Sequence, residues 1–234
     1  MRIRDISPHW SWLPLGLLVS IVAAHYFMPA QAYRQYVEGR EEGLVEWLTP
    51  VVLLPGIVFG LLILRQRRAL PGFKSRLWLL MVTLGAIYMA GEEISWGQWL
   101  FHWDTPEAYA AINKQSETNL HNSSTLFNQK PRLLLELWVL TGAIRAWYRS
   151  YKGREDDTGA TAYWFWPTLP LAWSGLLSAL AMMPERVLDW WSVHPPFPFD
   201  IDGPEAQELI LGVYLSLFLA SAHTRLKALK NDLR

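Results

Sequence analysis

The chain has no cysteine. That excludes disulfides, iron–sulfur clusters, zinc–thiolate sites and thiol nucleophiles together. The compact signatures of several soluble enzyme classes are missing as well. There is no phosphate-binding loop, no dinucleotide fingerprint and no His-Glu-x-x-His pair. Ser95 is followed by Trp96 and Gly97 rather than set in a Gly-x-Ser-x-Gly elbow, so it is not read as a nucleophile. No internal repeat is visible, which leaves the inverted-repeat plan of many transporters without sequence support. Net formal charge is zero, and nucleic acid is not an expected partner.

What the chain does have is apolar length. Hydrophobic residues make up 51% of its 234 positions, and 14 are tryptophan. They gather into long runs separated by short charged stretches. A soluble helix or strand keeps one wet face at its own period, and these runs keep none. Helices surrounded by lipid and by one another fit that pattern. The sequence therefore predicts an all-α integral membrane bundle: one domain of about six transmembrane helices, at 12–30, 44–64, 77–101, 133–147, 162–183 and 206–222. The first run ends without a clear cleavage site and five more follow, so it reads as a retained helix rather than a signal peptide.

Orientation follows from charge. Arg2 and Arg4, the basic residues of 65–76, those of 145–154, and Arg225, Lys227, Lys230 and Arg234 hold 15 of the 21 Lys and Arg residues. An even number of spans puts all four groups on the cytoplasmic side, with both termini inside. Trp10, Trp12, Trp47, Trp78, Trp103, Trp147, Trp164, Trp190 and Trp191 fall near span ends, where an interfacial belt accounts for them. Pro14, Pro50, Pro55, Pro167 and Pro170 predict helix starts or kinks.

On the same reading, 16 of the 21 acids lie on the opposite, periplasmic side or in the outer part of a span. Glu38, Glu41, Glu42 and Glu46 lead into the second helix, and Asp200, Asp202, Glu205 and Glu208 into the sixth. Asp104, Glu107 and Glu117 follow the third. Solvation and helix dipoles explain most of these. Glu92 and Glu93 stand apart, because they fall well inside the third run. A carboxylate at bilayer depth costs roughly 2.5 kcal/mol or more unless paired, protonated or wet. The two are about 100° apart around a helix, so they cannot face one partner equally. They are candidate catalytic groups, with an interhelical brace as the alternative.

Past them lies a polar stretch containing Ser95, Gln98, Asn113, Glu117, Asn119, His121 and Asn122. If helical, it places Asn113, Glu117 and His121 on one face, where Glu117 and His121 can share a proton or a metal. If it is a loop, its amide side chains can fold back and satisfy its own backbone. Glu93, Glu117 and His121 are the candidate metal ligands, and His121 joins Glu92 and Glu93 as a candidate catalytic group. Glu42, Glu46, Glu205 and Glu208 are neighbours from other helices, and carboxylates with one imidazole suit a hard or borderline divalent ion. His25, near the outer end of the first span, is a further candidate neighbour of the acids.

The block 91–98 (Gly-Glu-Glu-Ile-Ser-Trp-Gly-Gln), then Thr105-Pro106-Glu107, Asn113, Gln115 and Glu117-x-Asn119-Leu120-His121-Asn122, resembles a group of bacterial polytopic membrane proteins without an assigned activity. The lead-in Glu41-Glu42-Gly43-Leu44-Val45-Glu46-Trp47 is similar to theirs too. The resemblance covers about 38–122 and implies a bacterial inner-membrane protein. Likeness to the ceramidase-like membrane hydrolases is distant, because their paired histidines in a late helix are missing here.

Three functions compete: a metal-dependent enzyme acting on a lipid or lipid-linked substrate, a proton-coupled transporter using Glu92 and Glu93 as a relay, and a non-catalytic scaffold or subunit that binds a membrane-protein partner.

Overall fold

The computed structural model describes residues 5–38, 43–113, 117–120, 123, 125–154 and 159–232. Among them every regular element is helical. The helices are α1 (Leu13–Phe27), α2 (Ala30–Tyr36), α3 (Leu44–Arg65), α4 (Gly72–Glu93), α5 (Gln98–Phe101), α6 (Glu107–Ala110), α7 (Thr125–Tyr151), α8 (Thr161–Phe165), α9 (Leu169–Asp189) and α10 (Gly203–Asp232).

Four segments are long and apolar enough to cross a membrane: Pro8–Phe27, Leu44–Arg65, Gly72–Glu93 and Gly203–Asn231. The chain is thus a multi-pass membrane protein. The first, second, third and sixth predicted spans map onto these four. Helices α7 and α9 occupy the places of the fourth and fifth, but their hydropathy is diluted by charge. Glu136 of α7 accepts from both terminal guanidinium nitrogens of Arg186 on α9 at 2.6 and 2.7 Å, and Arg132 of α7 reaches Glu208 of α10 at 2.7 Å.

α10 is the central post. Leu209, Ile210, Tyr214, Phe218 and Leu226 are fully buried along it, with α3 and α9 packed on it. The approach of α3 depends on two glycines one turn apart. A Cβ on Gly56 would lie 2.5 Å from the Ser216 Cα of α10, and one on Gly60 would lie 2.5 Å from the Thr83 hydroxyl of α4. Small residues four apart let backbones meet where lipid supplies no hydrophobic driving force. Pro50 and Pro55 lie inside α3, and the Ser216 hydroxyl donates to the Val52 carbonyl in the same stretch. Pro14 and Pro170 are each the second residue of their helix, where a missing N–H costs nothing.

Three boundaries differ from the sequence expectation. The run at 77–101 does not continue as one helix. α4 stops at Glu93, because Ser95, Trp96 and Gly97 adopt φ of 46°, 56° and 101°, a region a right-handed helix cannot pass through. The run at 162–183 is split into α8 and α9 around Pro167. α7 has 27 residues rather than the short span at 133–147, since its charged first half is invisible to hydropathy. Trp164 also leaves the predicted belt: it is fully buried, with Arg225 stacked on it 5.7 Å from the ring centre.

Candidate functional site

The end of α4 places two adjacent glutamates in two environments. Both are buried. Glu92 is a clamp. Its Oε1 accepts from the Trp96 indole N–H at 2.6 Å, and its Oε2 accepts from the Leu120 backbone N–H at 2.8 Å. Tyr88 lies one turn earlier, near enough for the charge of Glu92 to act on its phenol.

The stretch after α4 is mostly loop around this clamp. α6 covers only four residues, and Asn113, Glu117 and Asn119 lie outside any helix, while His121, the third member of the expected i, i+4, i+8 face, is outside the described residues. Side chains satisfy the backbone instead. Asn113 Oδ1 accepts from Glu117 N–H at 3.2 Å, and Gln98 Oε1 accepts from Thr118 N–H at 2.7 Å. Ser95 Oγ donates to Glu117 Oε2 at 2.9 Å, and Asn119 Nδ2 donates to both Ser95 Oγ and Glu117 Oε2. Asn113 Nδ2 donates to Asn119 Oδ1 at 2.7 Å. This network holds Ser95 and Trp96 in their left-handed conformations, each of which costs about 1–3 kcal/mol when unsupported.

Glu93 turns the other way. One carboxylate oxygen each from Glu93, Glu205 and Glu208 lie within 4.8 Å of one another. Glu46 on α3 is near enough for its charge to act on Glu93 and Glu205. Three carboxylates this close repel one another unless a proton or a cation sits among them. Ligand oxygens around one Ca²⁺-sized ion lie up to about 5 Å apart, so the spacing fits a single divalent ion. Arg132 partly offsets the charge through its 2.7 Å bond to Glu208. At the start of α10, Asp202 Oδ1 accepts from Glu205 N–H at 3.2 Å, and this cap fixes the turn that presents Glu205 and Glu208.

The carboxylates close one end of a cavity of about 550 Å³. Its polar end has Glu92, Glu93, Arg132 and Glu208, and its far end has Trp78, Trp138 and Phe165. Trp78 packs against Trp138 at 5.0 Å and Phe165 at 4.2 Å between ring centres, so it is a cavity wall rather than part of an interfacial belt. From Trp78 to Glu93 the cavity runs along about 22 Å of α4. Met81 and Leu134, two of its walls, are exposed, so the cavity is open to the surroundings of the bundle.

The expected site residues thus sort into two groups. Glu93, Glu205 and Glu208 come together, with Glu46 beside them. Glu92, Ser95, Gln98, Glu117 and Asn119 form the loop network, and Glu117 is not among the three clustered carboxylates. Glu42, His121 and Asn122 lie outside the described residues. His25 meets Pro198 O at 3.2 Å and Asp200 Oδ1 at 3.6 Å, away from the cluster. Beside it, burial and the nearby Glu38 raise the Tyr33 phenol well above its ordinary range. Sequence reasoning did not single out Arg132. Its available signal was a basic residue outside the four basic stretches, at the head of an otherwise apolar run. No protein-family model, curated protein or solved structure matches the chain.

Proposed function

We propose that the chain is a membrane enzyme that takes an amphiphilic, lipid-type substrate with its tail in the α4 cavity and its polar head at Glu93, Glu205 and Glu208. The observation that carries this reading is the shared boundary: Glu93 and Glu208 belong both to the carboxylate cluster and to the cavity lining. A cavity of about 550 Å³ is the size of a small-molecule site. Its run along α4 exceeds half of the ~30 Å hydrocarbon core, so an acyl chain can enter from one leaflet.

The three carboxylates would hold a divalent ion, and Glu93 is the ligand common to ion and cavity. Such an ion polarises a carbonyl or phosphoryl oxygen or activates a water. Arg132 stands on the cavity rim to orient an anionic head. His121, immediately after the clamped Leu120, is a further proposed ligand or proton carrier. α7 and α9 complete six spans: their 27 and 21 residues exceed the roughly 20 that a bilayer core requires. The site then faces the periplasm of a bacterial inner membrane, as the resemblance and the charge distribution imply.

The test is lipid extraction and mass spectrometry on the purified chain, together with turnover of a lipid mixture. Wild type is expected to retain a lipid and lose it on Gly85→Phe, which fills the cavity. Glu93→Gln is expected to retain the lipid but lose turnover. Equal retention by wild type and Gly85→Phe would remove the reading. The scaffold alternative rests on the Glu92–Glu117 network, and it gains if Glu93→Gln leaves cellular function intact.

A further inference from the structure

A second cavity, of about 1130 Å³, lies at the basic end of the bundle. Arg145 and Arg149 of α7, Arg154 just beyond it and Arg225 of α10 line it, and Asp5 is the one acid among its described lining residues. Two of the arginines lie against aromatic rings. Arg225 is only 1% exposed, donates to the Tyr163 carbonyl and lies 5.0 Å from the centre of the Tyr163 ring. Arg145 lies 5.5 Å from the centre of the Trp166 ring. A guanidinium held against an aromatic ring keeps a fixed fork of donors, the arrangement that phosphate oxygens match.

A second feature of the same cavity points to an anion. The N-terminus of the 21-residue α9 opens onto it through Thr168, Leu169 and Pro170. Thr168 occupies the N-cap position, yet its hydroxyl makes no capping bond and is buried without a partner. A helix start offers partial positive charge to an anion, and a hydroxyl adds a donor. Asp5 opposes this with one carboxylate, whose Oδ1 accepts from Ile6 N–H at 2.7 Å. Among the described lining residues, four arginines stand beside one acid.

We propose that this cavity binds a phosphate group, supplied by an anionic phospholipid headgroup or by a soluble phosphate ester. Basic pockets between helices at the charged end of a membrane bundle bind such headgroups, and each Lys or Arg near the surface contributes about 1 kcal/mol. The site is independent of the carboxylate cluster, which lies with Glu93 at the other end of α4 and Glu208 near the start of α10.

The experiment reconstitutes the full chain in nanodiscs of equal phosphatidylglycerol and phosphatidylcholine, then measures lipid retained after detergent extraction. Wild type is expected to enrich phosphatidylglycerol, and Arg149→Gln/Arg154→Gln to retain roughly tenfold less of it. Arg149→Lys/Arg154→Lys is expected to recover part of the loss. Competition by glycerol phosphate assigns a soluble ester as the occupant, and enrichment that glycerol phosphate leaves unchanged assigns the lipid. Should the glutamine variant fail to fold, wild type alone decides. No preference for phosphatidylglycerol over phosphatidylcholine, together with no melting shift in glycerol phosphate, overturns the proposal. So does equal retention by wild type and a folded glutamine variant.

Discussion

Arg132 on α7 and Glu208 on α10 are joined at 2.7 Å, where the carboxylate cluster meets the cavity. The pair ties the one arginine among the described cavity-lining residues to an acid that clusters with Glu93 and Glu205. It couples the stability of the α7–α10 contact to the charge of the site.

Arg132→Gln is therefore expected to destabilise the fold by about 1–3 kcal/mol, because it leaves Glu208 facing two carboxylates without its cation. Glu208→Gln added to it should return most of the loss. Thermal unfolding in detergent of both singles and the double gives the coupling energy. Additive losses would show that the pair is not coupled.

Glu92→Gln and Glu93→Gln should separate folding from function. Glu92 holds the Trp96 indole and the Leu120 N–H, and hydrogen bonds to a charged acceptor contribute roughly 1.5–3 kcal/mol each. Glu92→Gln should lower the melting temperature and open the 98–120 stretch to protease. Glu93→Gln removes repulsion within the cluster, so its melting temperature should hold or rise while activity is lost. Melting curves and limited proteolysis on the two variants check this.

The two faces of the α3–α4 pair predict opposite outcomes for glycine. Gly56→Leu drives a side chain into the Ser216 backbone, and overpacking of this kind costs about 1–3 kcal/mol, more where backbone is struck. A Cβ on Gly85 meets nothing within 4 Å, so Gly85→Leu should keep or slightly raise stability, by about 1 kcal/mol from helix propensity. It should nonetheless weaken retention of an amphiphile, because Gly85 lines the cavity. Melting temperature and lipid retention, measured side by side, separate the two effects.

Gly97→Ala is expected to cost about 1–2 kcal/mol, since its φ of 101° suits only glycine. The loss should be confined to the loop after α4. Hydrogen exchange localised to 98–120, with the long helices unchanged, is the measurement.

The sequence made some of this architecture legible and hid the rest for physical reasons. The second span, read at 44–64, is a helix at Leu44–Arg65, because its apolar run is uninterrupted and flanked by charge. The 100° offset between Glu92 and Glu93 pointed to two different partners, and each glutamate has its own. The loop whose amides satisfy its backbone was one of two alternatives raised by its Asn and Gln content. The end of α4 was not legible, because the three positive φ values depend on bonds from residues 92, 117 and 119. The length of α7 was hidden by Arg132 and Glu136, whose partners Glu208 and Arg186 are distant in sequence. Which acids converge was likewise a tertiary fact: Glu117 had the local pattern, whereas Glu205 and Glu208 had the geometry.

The most direct measurement is a Mn²⁺ titration of the purified full chain in detergent, read by electron paramagnetic resonance, with Glu93→Gln beside it. One saturable, chelator-reversible ion per chain in wild type, weakened at least tenfold in a folded Glu93→Gln variant, is the result expected of a carboxylate-held ion at the head of the cavity. Absence of saturable binding in wild type, or unchanged binding in Glu93→Gln, would contradict it.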